Sequence, residues 1–148
     1  MSDFVIRRVE PRDFDGVSTL LTELGRPAPA DETVGALRET FHQHLADPHA
    51  ESLVAERDGT VIGFCSLHLR PRLNFATLEA WIPDLIVTER EHGQGAAVAL
   101  FRRALEIARE RRCHRFTLES GYQRLRAHRF YEREGMKDSG KYFIIDLA

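Results

Sequence analysis

Cysteine is scarce. Only Cys65 and Cys113 occur in 148 residues, far apart and without Cys-x-x-Cys spacing. That pattern argues against a disulfide framework and a thiolate zinc site, and leads us to expect reduced, buried thiols in a cytoplasmic protein. No apolar run approaches the ~18 to 20 residues that a membrane-spanning helix needs. The opening MSDFVIRRVE lacks the basic stretch and long apolar segment of a secretory leader. Strong net charge is also missing. The formal value is −2, so nothing global points to nucleic acid. What is present is a chain with 43% hydrophobic and 30% charged residues. Its length fits one globular domain, residues 1–148, with a real core.

The charge is unevenly placed. Residues 102–141 hold 12 Lys and Arg against 6 Asp and Glu, whereas residues 1–101 hold 9 against 16. The later segment is either a solvated basic face or a site for a small polyanion. Along the chain, FVIRRVEP reads as a short strand ended by Pro11. Phe14, Val17, Leu20, Leu21 and Leu24 then recur at helical spacing, as do Val34, Leu37, Phe41 and Leu45 in a second helix. Two β-rich runs flank Asp58-Gly59, a hairpin signal. FATLEAWIPDLIV is a further strand in which Pro83 predicts a bulge or an unpaired edge. The clearest helix follows, with Ala97, Leu100, Phe101, Ala104, Leu105 and Ala108 on one stripe. RFTLES reads as a strand, QRLRAHRFYEREG as a short helix capped by Gly135, and KYFIIDL as a closing strand. The order is that of one mixed α/β domain.

Between a buried strand and the clearest helix stands EREHGQGAAVALF, residues 89–101. A helix start presents free N–H groups and partial positive charge, and glycines let an anion approach the bare backbone. The alternative is a simple tight turn. A Walker loop needs Gly-Lys-Ser/Thr, yet Gly95 is followed by Ala96-Ala97. The dinucleotide fingerprint needs a third Gly or Ala where Val98 stands. A phosphate or pyrophosphate suits the loop, but neither common nucleotide motif fits.

DLIVTEREHGQGAAVALFRRALEIARERRCHRFTLES together with AHRFYEREGM resembles the GNAT family of N-acetyltransferases. Within it, SLHL, HLADP and AHRFYEREG are most similar to the aminoalkylphosphonate-type and small-amine acetyltransferases. The resemblance implies a single domain with a mixed, mostly antiparallel sheet, a splayed central strand pair and about four flanking helices. It implies acetyl-CoA as co-substrate, with the pyrophosphate on His92, Gly93, Gln94, Gly95, Ala96 and Ala97. His92 stands where the family carries Arg or Gln, and Arg90 becomes an outlying helper. By the same resemblance the main chain of Leu85, Ile86 and Val87 pairs with the pantetheine arm, Arg124 replaces an Asn that contacts it, and Ala127 leaves room for it.

The implied reaction is direct attack of a primary amine of a small molecule on the thioester. Tyr131 matches the family's donor to the departing sulfur. The family's Glu base falls at Trp81, so Glu79, two residues earlier on the same strand face, is the first candidate base. Asp84, His68 and Glu119 are the others. His68 and Trp81 are expected to touch the acceptor, and Arg70 and Arg72 are available to a phosphonate. His42 and His44 do not share a helix face, so no metal site is expected; with His49, His114 and His128 they are expected at the surface. KYFIID could pair across a homodimer. The competing reading is a catalytically weak module that holds acyl-CoA as a sensor or partner.

Overall fold

The computed structural model describes residues 3–148, which fall into two compact units that part between Thr117 and Leu118. In the first, β1 (Val5–Arg8) leads through a 3₁₀ turn at Pro11–Asp13 into α1 (Phe14–Leu24) and α2 (Val34–Ala46). There follow β2 (Leu53–Arg57), β3 (Thr60–Cys65), β4 (His68–Arg70), β5 (Glu79–Trp81), β6 (Leu85–Val87), α3 (Ala96–Glu110) and β7 (Arg115–Thr117). The second unit holds α4 (Leu125–Arg133). Among the described residues no helix is long and apolar enough to cross a membrane.

Among the described residues two sheets form, in the orders β1-β2-β3-β6 and β4-β5-β7. Every pairing is antiparallel except β5 with β7. The β2–β3 hairpin turns as its sequence predicts. Asp58 at φ 50° and Gly59 at φ 79° supply the two positive dihedrals of a type I′ turn. Phe14, Val17 and Leu20 of α1 are buried, and Phe41 and Leu45 of α2 pack on the same cluster as Val54 and Phe64. α3 buries Leu100, Phe101 and Ala104 as its periodicity predicts, with Ile107 joining them.

FATLEAWIPDLIV reads as one strand, but the structure divides it between the two sheets. Pro83 has no N–H to give a ladder. Before it, Ile82 N–H still reaches the Thr117 carbonyl at 3.0 Å, prolonging β5 beside β7. After it, the chain crosses to the other sheet. Ser66 N–H donates to the Asp84 carbonyl at 2.9 Å, and Asp84 N–H donates to Ser66 Oγ at 2.8 Å. Arg26, just past α1, donates to Asp84 Oδ1 at 2.9 Å and to the Pro83 carbonyl at 3.1 Å. The sheet is therefore splayed at β6, which pairs with β3 on one edge and ends the strand order of its sheet within this unit.

Gly63 of β3 lies opposite Val87 and lets α3 settle against this strand. A Cβ there would stand 2.9 Å from Leu100 Cδ1 and 3.1 Å from Val87 Cγ2. Gly63→Ala is expected to lower stability by about 1–3 kcal/mol through overpacking. Urea unfolding measures it, and an unchanged midpoint would show that Leu100 has room to move.

In the second unit Gly135, at φ 102°, closes α4. Its N–H donates to the Glu132 carbonyl and Met136 N–H to that of Tyr131, a Schellman pair. Residues 136–148 carry no helix or strand, so the closing strand expected at KYFIIDL is absent from this unit taken by itself.

Candidate active site

The segment between β6 and α3 is fixed at several points before its glycines begin. Thr88 N–H donates to the Ile62 carbonyl at 2.9 Å. Glu23, on α1, accepts the Thr88 hydroxyl and Glu89 N–H, both at 2.9 Å. Arg57 Nε donates to Glu91 at 3.0 Å. His92 turns its ring back so that Nε2 lies 2.8 Å from the Val87 carbonyl. A carbonyl only accepts, so Nε2 carries the proton. His92 thus holds the loop to the end of β6.

Gly93 and Gly95 follow at φ 79° and 91°. This left-handed region costs glycine nothing and strains other residues. Nothing stands within 4 Å of a Cβ built on either, so the space before the loop is open. Gly95 is the N-cap of α3, which has no side-chain cap and no acidic residue in its first turn. Among the described residues, the amides of Gly93 through Ala97 donate to no protein acceptor. Gln94 is exposed with the glycines, while Ala96 is buried and Ala97 half-buried, so the helix start is rooted in the core with its donors outward. Unspent N–H groups at the positive end of a 15-residue helix are donors suited to an anion. Arg90 lies in the 3₁₀ turn Glu89–Glu91 and, with Arg12, Glu23 and Thr88, lines a neighbouring cleft of about 450 Å³. It stands beside the loop, not in it. Leu85, Ile86 and Val87 run into this loop, with Leu85 and Ile86 half-buried.

A second cluster surrounds Trp81. His68 lies directly across from it in the β4–β5 register, with ring centroids 5.5 Å apart. The Arg70 guanidinium lies 4.4 Å from the Trp81 ring centre, a cation–π contact. Arg70 Nε also donates to Glu79 Oε2 at 2.7 Å, and Arg72 approaches Oε1 at 3.4 Å. Glu79 is only 2% exposed. Its burial alone would raise the carboxyl pKa, but hydrogen bonding and charge from Arg70 and Arg72 outweigh this and hold it below the usual carboxylate range. The residue expected as base therefore has both oxygens engaged by cations, a setting that suits an anchor. Asp84 is likewise committed to Arg26 and to the Ser66 hydroxyl.

His44 does not lie at the surface as expected. It is half-buried, its ring 4.8 Å from that of His68 and its Nε2 2.6 Å from Ser52 Oγ. The spacing that could have shown this is Phe41–His44, three residues apart and so on one helix face. His114 is half-buried too, stacked on Phe75 at 3.8 Å. Glu23 and Arg26, which tie down the two ends of β6, carried no sequence signal: each acts across about 60 residues. In the second unit, Arg124 sits at the N-cap of α4, with Ala127 and Tyr131 at the third and seventh positions beyond it. These spacings place all three on one helix face. The Tyr131 ring meets Phe130 edge-to-face at 5.5 Å.

Comparison with known proteins gives these features a common setting. The family model described as the acetyltransferase (GNAT) family matches residues 17–136, running through both units. The aminoalkylphosphonate N-acetyltransferase of Salmonella typhimurium is 34% identical over 134 residues, covering 90% of this chain and 85% of that one. Among solved structures, a putative acetyltransferase from Agrobacterium tumefaciens superposes with a TM-score of 0.85 at 27% identity, over 97% of this chain and 99% of that one. A transcriptional regulator from Bacillus halodurans does so at 0.86 and 28%, with the same coverage. The glycine loop before α3, the strand splayed at Pro83 and the matched span agree: the chain belongs to the acetyltransferase (GNAT) family, and is an N-acetyltransferase that uses acetyl-CoA.

Proposed function

We propose that the protein acetylates the primary amine of a small molecule that also carries an anionic group, by direct attack of the amine on acetyl-CoA. The observation that carries this reading is the Trp81 cluster. Two guanidiniums share one buried carboxylate, which leaves one positive charge uncompensated, and Arg70 is held over the Trp81 ring. Arg70 and Arg72 remain partly exposed, with 39% and 47% of their side chains accessible. A phosphonate or carboxylate is the natural complement to such a fork. The Salmonella relative, by its name, acts on amines of this kind.

In this reading the amides of Gly93 through Ala97 take the pyrophosphate of acetyl-CoA, with His92 fixing the loop that presents them. The open edge of Leu85, Ile86 and Val87 pairs with the pantetheine amides as an added strand. A main-chain N–H of this strand steadies the oxyanion of the tetrahedral intermediate. Arg124 contributes charge toward the cofactor, Ala127 leaves space for the thiol arm, and Tyr131 donates a proton to the departing sulfur. His68 and Trp81 line the acceptor side. The bond formed is C–N and the bond broken is C–S; the amine gives up protons and the thiolate takes one. Both cysteines are free and burial pushes the Cys65 thiol up, which favours an inert thiol in a reducing cytoplasm.

The test is a matched panel of aminoalkylphosphonates, amino acids and neutral primary amines, followed as release of free thiol. A charge-assisted contact of about 1.5–3 kcal/mol corresponds to roughly a ten- to hundredfold higher kcat/KM for the anionic amines. Equal rates across the panel would remove the anionic requirement and leave only the amine.

A further inference from the structure

We propose that His68 is the general base that takes the proton from the acceptor amine, and that His44 positions it. The proposal rests on the acceptor side assigned above to the Trp81 cluster.

The strand that borders the acceptor offers two carboxylates, and both are committed. Glu79 is buried between Arg70 and Arg72. Asp84 holds the strand crossing through Arg26 and Ser66. Trp81, where the resemblance would place a carboxylate, cannot titrate. His68 is the titratable side chain directly across the ladder from that position, and its ring lies against the indole. The base has in effect moved from one strand to its neighbour while keeping the same level along the sheet.

Position and protonation state are both controlled. His68 forms a bridge with Ala50, and the next residue's N–H, that of Leu69, donates to the His49 carbonyl at 2.7 Å. On the preceding side, Leu67 N–H donates to Ser52 Oγ at 3.0 Å. The same hydroxyl lies 2.6 Å from His44 Nε2, and the His44 ring rests against His68. One hydroxyl thus ties the backbone beside His68 to the side chain behind it. The charged and titratable groups that face His68 are His44 and Asp47 from α2 and its end, Arg70 on its own strand and Asp84 at the strand crossing. Burial lowers the pKa of His68, Asp84 and Asp47 oppose this, and Arg70 adds to it; the balance lies below the ordinary imidazole value. His44 is lowered by its own burial and by His68. At neutral pH His68 therefore waits unprotonated, as a base must.

The ammonium of the acceptor loses one proton to His68, which passes it to solvent. The freed nitrogen lone pair attacks the thioester carbon, and the C–N bond forms. As the intermediate collapses, the C–S bond breaks, the nitrogen loses a second proton and the thiolate gains one.

The experiment measures kcat/KM against pH for the full chain and two variants, with acetyl-CoA and the best amine of the panel. His68→Gln is expected to lower kcat by roughly a hundredfold, to leave the KM for acetyl-CoA within about twofold, and to remove the acid limb of the profile. His44→Gln is expected to keep most of the rate but to move that limb to higher pH, because His68 loses part of the burial that holds its pKa down and its pKa rises. A merely structural His44 would change rate or stability without moving the limb. Full rate and an unmoved acid limb in His68→Gln would overturn the proposal, as would an unmoved limb in His44→Gln. A wild-type protein that turns over no amine of the panel would overturn the acceptor reading itself, and with it this assignment.

Discussion

Gly95→Val is expected to raise the dissociation constant for coenzyme A by about a hundredfold or more, while the domain remains folded. Gly95 caps α3 at φ 91° with open space where its Cβ would stand. No protein atom is displaced, so the fold has no direct reason to fail. The ligand has two. A β-branched residue in the left-handed region is strained by about 1–2 kcal/mol and would pull the loop toward another conformation, turning its amides away. A side chain in that open space would also keep phosphate oxygens from the backbone. Together these losses approach the ~2.7 kcal/mol that a hundredfold represents. Gly95→Ala separates the terms: strain remains but most of the bulk is gone, so a smaller rise is expected. Calorimetric titration with coenzyme A reads both variants. Unchanged affinity in the Val variant would mean that the anion is held elsewhere.

Tyr131→Phe is expected to lower kcat by roughly ten- to a hundredfold, with coenzyme A affinity within about twofold of wild type. The change keeps the aromatic ring and its edge-to-face contact with Phe130 and removes only the hydroxyl. If that hydroxyl protonates the leaving thiolate, its loss acts on the transition state and not on ground-state binding. Steady-state thiol release together with calorimetric titration checks this split. Full turnover would remove Tyr131 as the acid, and a fall in affinity equal to the fall in kcat would make it a binding residue.

Legibility in the sequence followed locality. The Asp58-Gly59 turn, the helical stripe through Leu100, Phe101 and Ala104, and the Gly93–Gly95 loop before α3 are set by neighbours within a few residues, and each stands as its pattern predicts. The division of residues 79–87 between two sheets was not readable, although Pro83 marked the place. Which strands Glu79–Trp81 and Leu85–Val87 choose depends on Thr117, Ser66 and Arg26, far away in the chain. The same reason hid the state of Glu79. Its residue type suits a base, but the arginines that hold its charge come from the neighbouring strand and the segment after it. The latch of His92 onto Val87 was not legible, since a ring's direction is not written in spacing. The contact of His44 with His68 spans two elements and appears only once α2 lies on the sheet. KYFIIDL has the composition of a strand, but a strand also needs a partner, and the second unit supplies none by itself.

The reaction proposed is acetyl transfer from acetyl-CoA held at the glycine loop to a small primary amine. Its most direct test is to incubate the purified protein with acetyl-CoA and follow free thiol, with and without an aminoalkylphosphonate, while mass spectrometry reads the amine. Thiol release is expected to depend on the amine, to match, mole for mole, the appearance of the N-acetylated product, and to be lost in Gly95→Val. Tight binding of acetyl-CoA with no acetylated product from any amine of the panel would contradict it.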